Sequence, residues 1–304
     1  MRFEGTGKVT EDFYVTGSPV VPVYLLDGPV PVLFDSGITA LAYLYEKDIK
    51  KILGGRKPAY LFITHSHFDH IGAAFFFKET WPDLLIAGSA RCQEILKRPG
   101  AVELINNLNV QARKEMKESG VTPIYQSPFQ VFDIDMIIDP DSEIKINPSI
   151  TVNAISTPGH TWDFMSYWIP EKKILIGSEA LGCYEGKGYV QTDFLIDYDK
   201  YLDSLKKLTD LEVEIVCVGH HAVFSGPDAR EHMNASLKAA PDYLTMAEKI
   251  LTEERGDVDR TIERIKAIEW DQRPWPKQPE QAYLISSRQK VMIIRERMKK
   301  SRGQ

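Results

Sequence analysis

The sequence predicts a layered α/β fold followed by an all-helical tail. Short apolar, β-branched runs recur as far as Val218, helical patterns lie between some of them, and beyond about Ser225 the strand-like runs stop. The chain has 304 residues, 43% of them apolar, which is enough for a full core in one large domain or two.

Taken in order, residues 20–26, 30–34, 60–64, 84–87, 152–155, 174–176 and 215–218 are each strand-length and mostly bounded by turn residues. Residues 40–53 carry a helical pattern. A longer one covers 89–118 and is broken at Pro99-Gly100. In the tail, 229–255, 257–268 and 279–300 read as helices. Residues 270–279 form a Pro/Trp-rich connector, where proline forbids a continuous helix. No flexible Gly/Ser stretch separates tail from core. The expectation is therefore a main domain over 1–225 and a helical extension over 226–304 packed on it.

Bulk properties exclude several classes. A net charge of −6 argues against nucleic acid as a partner, which needs a cationic surface. No apolar run approaches the ~20 residues that span a bilayer. The start, Met1-Arg2-Phe3-Glu4-Gly5, has no apolar signal segment. Cys92, Cys183 and Cys217 are widely spaced and odd in number, so a disulfide framework is not expected and a cytoplasmic location is. A homodimer stays open.

The histidines are not scattered. Six of seven fall in three clusters: Thr64-His65-Ser66-His67-Phe68-Asp69-His70, Pro158-Gly159-His160-Thr161 and Gly219-His220-His221. Buried polar groups need partners, and imidazole with carboxylate is a ligand set of divalent transition metals. Four apolar strands each deliver one candidate just past their ends: 60–64 leads to His65, 152–155 to His160, 174–176 to Glu179 and 215–218 to His220. Loops at one sheet edge can converge on one cleft. In the first cluster, a tight loop can point His65 and His67 at one ion and Asp69 and His70 at its neighbour. Two cations a few ångströms apart can share a hydroxide and a bridging carboxylate, for which Glu179 is the candidate. Zinc, iron and manganese all suit such donors.

The His-x-His-x-Asp-His run of residues 65–70, with His160, an acidic residue at 179 and His220 in that order, resembles the signature of the metallo-β-lactamase-fold hydrolases. The resemblance implies a four-layer αββα sandwich with a dinuclear site at one edge. It implies that His65, His67 and His160 bind one divalent ion and Asp69, His70 and His220 the other, with Glu179 bridging. The departure is that most dinuclear members carry aspartate at the bridging position. Flavo-diiron relatives carry glutamate where this chain has His67, so redox chemistry is not implied.

Residues 20–26, Ala180-Leu181-Gly182 and Tyr283-Leu284-Ile285-Ser286-Ser287 are similar to the quinolone-signal-response, acyl-CoA-thioesterase-like branch. That likeness implies a small acyl thioester substrate and tail helices capping the metal cleft, with Ser287 and Tyr283 lining the substrate pocket. The reaction implied is attack of a metal-held hydroxide on an ester or thioester carbonyl, with Asp69 as the catalytic residue that orients the hydroxide or carries its proton. The alternatives are a glyoxalase-II-like or lactone hydrolase, or a regulatory ligand-binding protein that keeps the metal site with little turnover.

Other residues carry plainer expectations. Asp35 either supports a ligand histidine or forms an Asx turn. Cys183 packs as a small hydrophobe, and His232 sits on a helix surface or between helices. Trp270, Trp275 and Tyr283 either line a pocket or pin the extension. Lys290, Arg295, Arg297, Lys299, Lys300 and Arg302 are expected to form a solvated basic helix face, the alternative being attraction of the phosphates of coenzyme A.

Overall fold

The structure is a computed structural model that describes residues 1–186, 188–273, 278, 280–301 and 303. In chain order the elements are β1 (Arg2–Phe3), β2 (Gly7–Lys8), β3 (Phe13–Gly17), β4 (Pro22–Leu26), β5 (Val32–Phe34), α1 (Ala42–Leu53), β6 (Tyr60–Phe62), α2 (Phe68–Ile71), α3 (Ala74–Thr80), β7 (Leu85–Ser89), α4 (Ala90–Leu96) and α5 (Pro99–Glu118). Then follow β8 (Met136–Ile138), β9 (Ser142–Asn147), β10 (Ile150–Ser156), β11 (Met165–Ile169), β12 (Ile174–Ile176), β13 (Cys183–Tyr184), β14 (Val190–Gln191), α6 (Tyr198–Thr209), β15 (Ile215–Cys217), β16 (Val223–Ser225), α7 (Pro227–Glu253), α8 (Val258–Glu269) and α9 (Glu280–Ser301).

Strands β2 to β8 form one seven-stranded sheet in chain order; a second has the order β1-β16-β15-β12-β11-β10-β9. In the first, β5 to β8 run parallel; in the second, only β12 and β15 do. Side chains alternate across a strand, and here both faces are apolar. In β4, Val23 and Leu25 point to a cluster shared with α1, α3, α4 and α5, whereas Tyr24 and Leu26 point between the sheets. In β12, Ile174 and Ile176 face the first sheet, and Leu175 faces α6 to α9. Three apolar clusters therefore fill the three interfaces of an αββα sandwich. Each fully buried Leu, Ile or Phe contributes about 1.5–3 kcal/mol by leaving water.

Helix boundaries follow local chemistry. Ser89 Oγ accepts from Cys92 N to cap α4, Asp197 caps α6 through Lys200 N, and Asp257 caps α8 through Arg260 N. Pro99 separates α4 from α5 and occupies the first turn of α5, where no donor is needed. Helix α7 runs through Pro241 without a break.

Helices α7, α8 and α9 share one core with α6 and the outer face of the second sheet. Among the described residues, no helix is long and apolar enough to cross a membrane. The solvated basic face expected of the tail does not include Lys290, which is fully buried; Arg297 is paired with Asp199 and Glu248. His232 is buried between α7 and β16, its ring stacked on Phe224. Trp275, with the rest of connector positions 274–277 and 279, and Arg302 lie outside the described residues.

Candidate metal centre

The ends of β6, β10, β12 and β15 meet at one edge of the sandwich. After β6, the main chain is held from both sides. Thr64 N and Oγ1 donate to Asp35 at 2.8 and 2.9 Å, and Ser66 N donates to Asp163 Oδ2 at 2.8 Å. His65 is thus fixed between two buried carboxylates, with Phe164 stacked on its ring at 4.5 Å. The turn into α2 then presents Asp69 and His70. The His160 loop packs against α6, where a Cβ on Gly159 would lie 2.4 Å from Tyr201 Cα.

Three donor sets result: His65, His67 and His160; His65, His70 and Glu179; and Asp69, His70 and His220. Within each, the donor atoms lie inside 4.8 Å of one another. His67 Nδ1 faces His160 Nε2 at 3.1 Å, while His65 Nε2 is buried without a hydrogen-bond partner, 3.9 Å from Glu179 Oε2. Glu179 Oε1 lies 3.0 Å from both His70 Nε2 and His220 Nε2. Asp69 Oδ2 is 3.6 Å from His220 Nε2.

The remaining ring nitrogens are oriented from behind. His70 Nδ1 is 2.8 Å from Asp35 Oδ2, His160 Nδ1 is 2.7 Å from the Asp193 carbonyl, and His220 Nδ1 is 2.5 Å from the Val20 carbonyl. Such outer contacts fix the face an imidazole shows a metal. Asp35 therefore holds the ring of a candidate ligand histidine; its backbone is also left-handed, at φ 56°.

Electrostatics divide the cluster. Burial, reinforced by neighbouring imidazoles, holds His65 well below the usual histidine range and brings His67 to about 4. Burial opposes charge on His70 too, but Glu179, Asp35 and Asp69 outweigh it and raise its pKa well above the usual value. His220 is raised to about 9, burial being outweighed by Glu179 and Asp69. Glu179 would be raised by burial, yet His70 and His220 hold it well below the carboxylate range.

These residues fit divalent cations. A buried ring nitrogen without a partner costs about 1–3 kcal/mol, and nitrogen-plus-carboxylate sets of this size suit transition ions. His221 belongs to none of the sets; its main-chain N–H donates to the Pro19 carbonyl.

Tyr283 and Ser287 are placed elsewhere. Both are fully buried, and the Tyr283 hydroxyl donates to Glu269 Oε2 at 3.1 Å, tying α9 to α8. Neither belongs to the donor sets or lines the cavity of about 470 Å³ between β14, α7 and α8. Trp270 donates to the Gln278 carbonyl and packs near Tyr283. Asp163 and Asp193 contact the segments that carry the candidate ligands His65 and His160, and the sequence does not single them out. Asp163 lies three residues past His160, and that proximity is its only local signal.

Comparison with known proteins agrees with this architecture. The family model of the Metallo-beta-lactamase superfamily matches residues 19–220. The chain is 23% identical over 220 residues to the metallo-beta-lactamase fold-containing protein ST1585 of Sulfurisphaera tokodaii, covering 72% of this chain and 79% of that one. The crystal structure of ST1585 superposes with a TM-score of 0.59 at 18% identity, over 94% of this chain and 99% of that one. A metallo-beta-lactamase family protein of Thermus thermophilus, TTHA1429, gives 0.63 at 14% identity, over 99% and 94%. A hydroxyacylglutathione hydrolase of Bartonella tribocorum is 25% identical over 167 residues, 53% of this chain but 47% of that protein, so the chain spans about half of it. With the family model covering most of the sandwich and all seven clustered donors at one edge of it, the chain belongs to the metallo-β-lactamase superfamily.

Proposed function

We propose that this protein is a metal-dependent hydrolase of ester-like or thioester carbonyls, with acyl-CoA-type thioesters as its substrates. The observation that carries the reading is the convergence of seven histidine and carboxylate side chains, from both halves of the sandwich, into adjoining donor sets. His65, His67 and His160 would hold one divalent ion, Asp69, His70 and His220 a second, and Glu179 would reach both. The donors suit zinc, iron or manganese. Such ions supply Lewis acidity, which polarises a carbonyl and brings a water's pKa toward neutrality.

The chain's own residues supply orientation and proton handling. Asp69 sits at the more open side of the cluster, where its carboxylate can accept and hold the attacking water's proton. Asp35 and Asp193 keep His70 and His160 turned inward. No side-chain nucleophile is needed, and Cys183 is unsuited to be one. It is buried, and burial with Asp193 and Glu179 nearby pushes its thiol pKa well up.

The thioester reading draws support from the relative named for an acylglutathione, itself a thioester. The coenzyme preference draws on the likeness of the tail to the thioesterase-like branch. The tail also reaches the centre's surroundings, since Gln278 and Lys290 contact the segment around β14 that leads to Asp193. All three cysteines are free and buried, which supports a reducing compartment such as the cytoplasm.

A panel of acyl-CoA, acylglutathione and lactone substrates, offered to metal-replete protein, tests the proposal. The expected result is the highest kcat/KM on an acyl-CoA. Preference for acylglutathione would support a glyoxalase-II-like enzyme instead. No turnover on any member, with tight ligand binding, would leave the regulatory reading standing.

A further inference from the structure

Lys290 has a charge for which the proposed reaction has no use, yet it is fully buried. Taking an ammonium out of water is costly unless it is well bonded. Its Nζ donates to the Thr192 carbonyl at 3.0 Å and lies 4.5 Å from the centre of the Tyr243 ring. No carboxylate pairs with it among the described residues.

What the ammonium holds is main chain, at a point where sheet pairing has ended. Strand β14 stops at Gln191, so the Thr192 carbonyl has no ladder partner. The next residue is Asp193. Its carbonyl oxygen is 2.7 Å from His160 Nδ1, its Oδ2 is 3.3 Å from the same nitrogen, and its N–H donates to the Tyr201 hydroxyl. His160 Nε2 in turn faces His67. A continuous set of polar contacts thus runs from α9, through residues 192 and 193, to one imidazole of the candidate centre.

We propose that Lys290 is a positioning residue for His160: by anchoring the Thr192 carbonyl, it fixes the Asp193 acceptor that turns the imidazole toward His65 and His67. The helical extension thereby sets the affinity of one cation site and not the other. The inference rests on His65, His67 and His160 forming one of the two sites.

Cation affinity, measured without reference to turnover, tests it. The readouts are chelator competition on zinc-loaded protein and the visible spectrum of the cobalt(II)-substituted protein. The parent protein and His160→Ala come first. If the parent binds no cation that His160→Ala loses, the ligand assignment itself fails. With that signal identified, Lys290→Met is expected to weaken the same cation about tenfold or more, and to shift its cobalt bands. The Asp69, His70 and His220 site should stay within about threefold of the parent. Lys290→Gln keeps a donor on a shorter arm and should fall between the two; it is the variant to read if Lys290→Met does not fold. Unchanged affinity and spectrum at the His160 site in a folded variant, or equal loss at both sites, overturns the proposal.

Discussion

Glu179 carries one methylene more than the aspartate usual at its position, and the space for it comes from a Cβ missing at Gly219. A Cβ there would lie 2.0 Å from Glu179 Oε1 and 2.5 Å from Cδ. Real Cβ atoms do not approach so closely, so Gly219→Ala must displace the carboxylate from His70 and His220. The expected result is partial loss of bound metal and a fall in kcat/KM of about 100-fold. Glu179→Asp in the Gly219→Ala background should recover part of both, because the shorter acid withdraws from the new methyl. Elemental analysis and kinetics on the double-mutant cycle check this; simple additivity would contradict it. The histidines were legible in the sequence because they are neighbours along the chain, or stand at strand ends. The dependence of Glu179 on Gly219 was not, because it is a contact in space between segments forty residues apart. Lys290 was misread for a related reason. Its spacing from Arg297 puts both on one helix face, and only the fold shows that part of this face is covered.

At the scale of elements, strand ends carried the information. The runs before His65, Glu179 and His220 are apolar on both faces, as strands buried between layers must be, so their polar ends stood out. Elements without such contrast stayed hidden. Strand β1 is two residues long and pairs with β16, more than 200 positions away, so no local periodicity could show it. Strand β9 alternates polar and apolar residues along the outer edge of its sheet. Helix α7 shows how an element docks by a titratable group. His232 is buried against Phe224 and bonded to the Leu181 carbonyl, which Ser236 Oγ also serves. Burial lowers its pKa to about 4, against a smaller opposing effect of the Leu181 carbonyl. A depressed histidine stays neutral in the fold while the unfolded chain takes up a proton below about 6.5. Its contribution is therefore complete above that pH and declines as pH falls toward 4, by up to about 3 kcal/mol. His232→Gln keeps a donor for Leu181 but does not titrate. Urea unfolding of the variant between pH 7 and 4.5 should show a shallower loss of stability than the parent; parallel curves would place the acid sensitivity elsewhere.

At the scale of the whole molecule, the candidate centre joins two halves that meet mainly through apolar contacts. His65, His67, Asp69 and His70 follow a strand of the first sheet, and His160, Glu179 and His220 follow strands of the second. The interior between the sheets is an unbroken apolar cluster, and the sheets are internally hydrogen-bonded, so neither depends on a cation to form. A cation gripped from both sides stabilises only the state in which the halves are docked. At a free concentration 100 times its Kd, one such ion adds about 2.7 kcal/mol. Domains of roughly 150–250 residues respond by about 2–4 °C per kcal/mol, so the loss of each such ion to a chelator should lower Tm by about 5–10 °C. Far-UV circular dichroism at 25 °C should stay unchanged, because the strands and helices keep their own hydrogen bonds. The centre is thus expected to act as a clasp on a preformed sandwich: it is read from the sequence as chemistry, and it would be measured as stability. Calorimetry with and without chelator separates the cases. An unaltered Tm would mean the side chains meet without an ion holding the sheets together, and collapse of secondary structure on chelation would mean that the apolar interior is not self-sufficient.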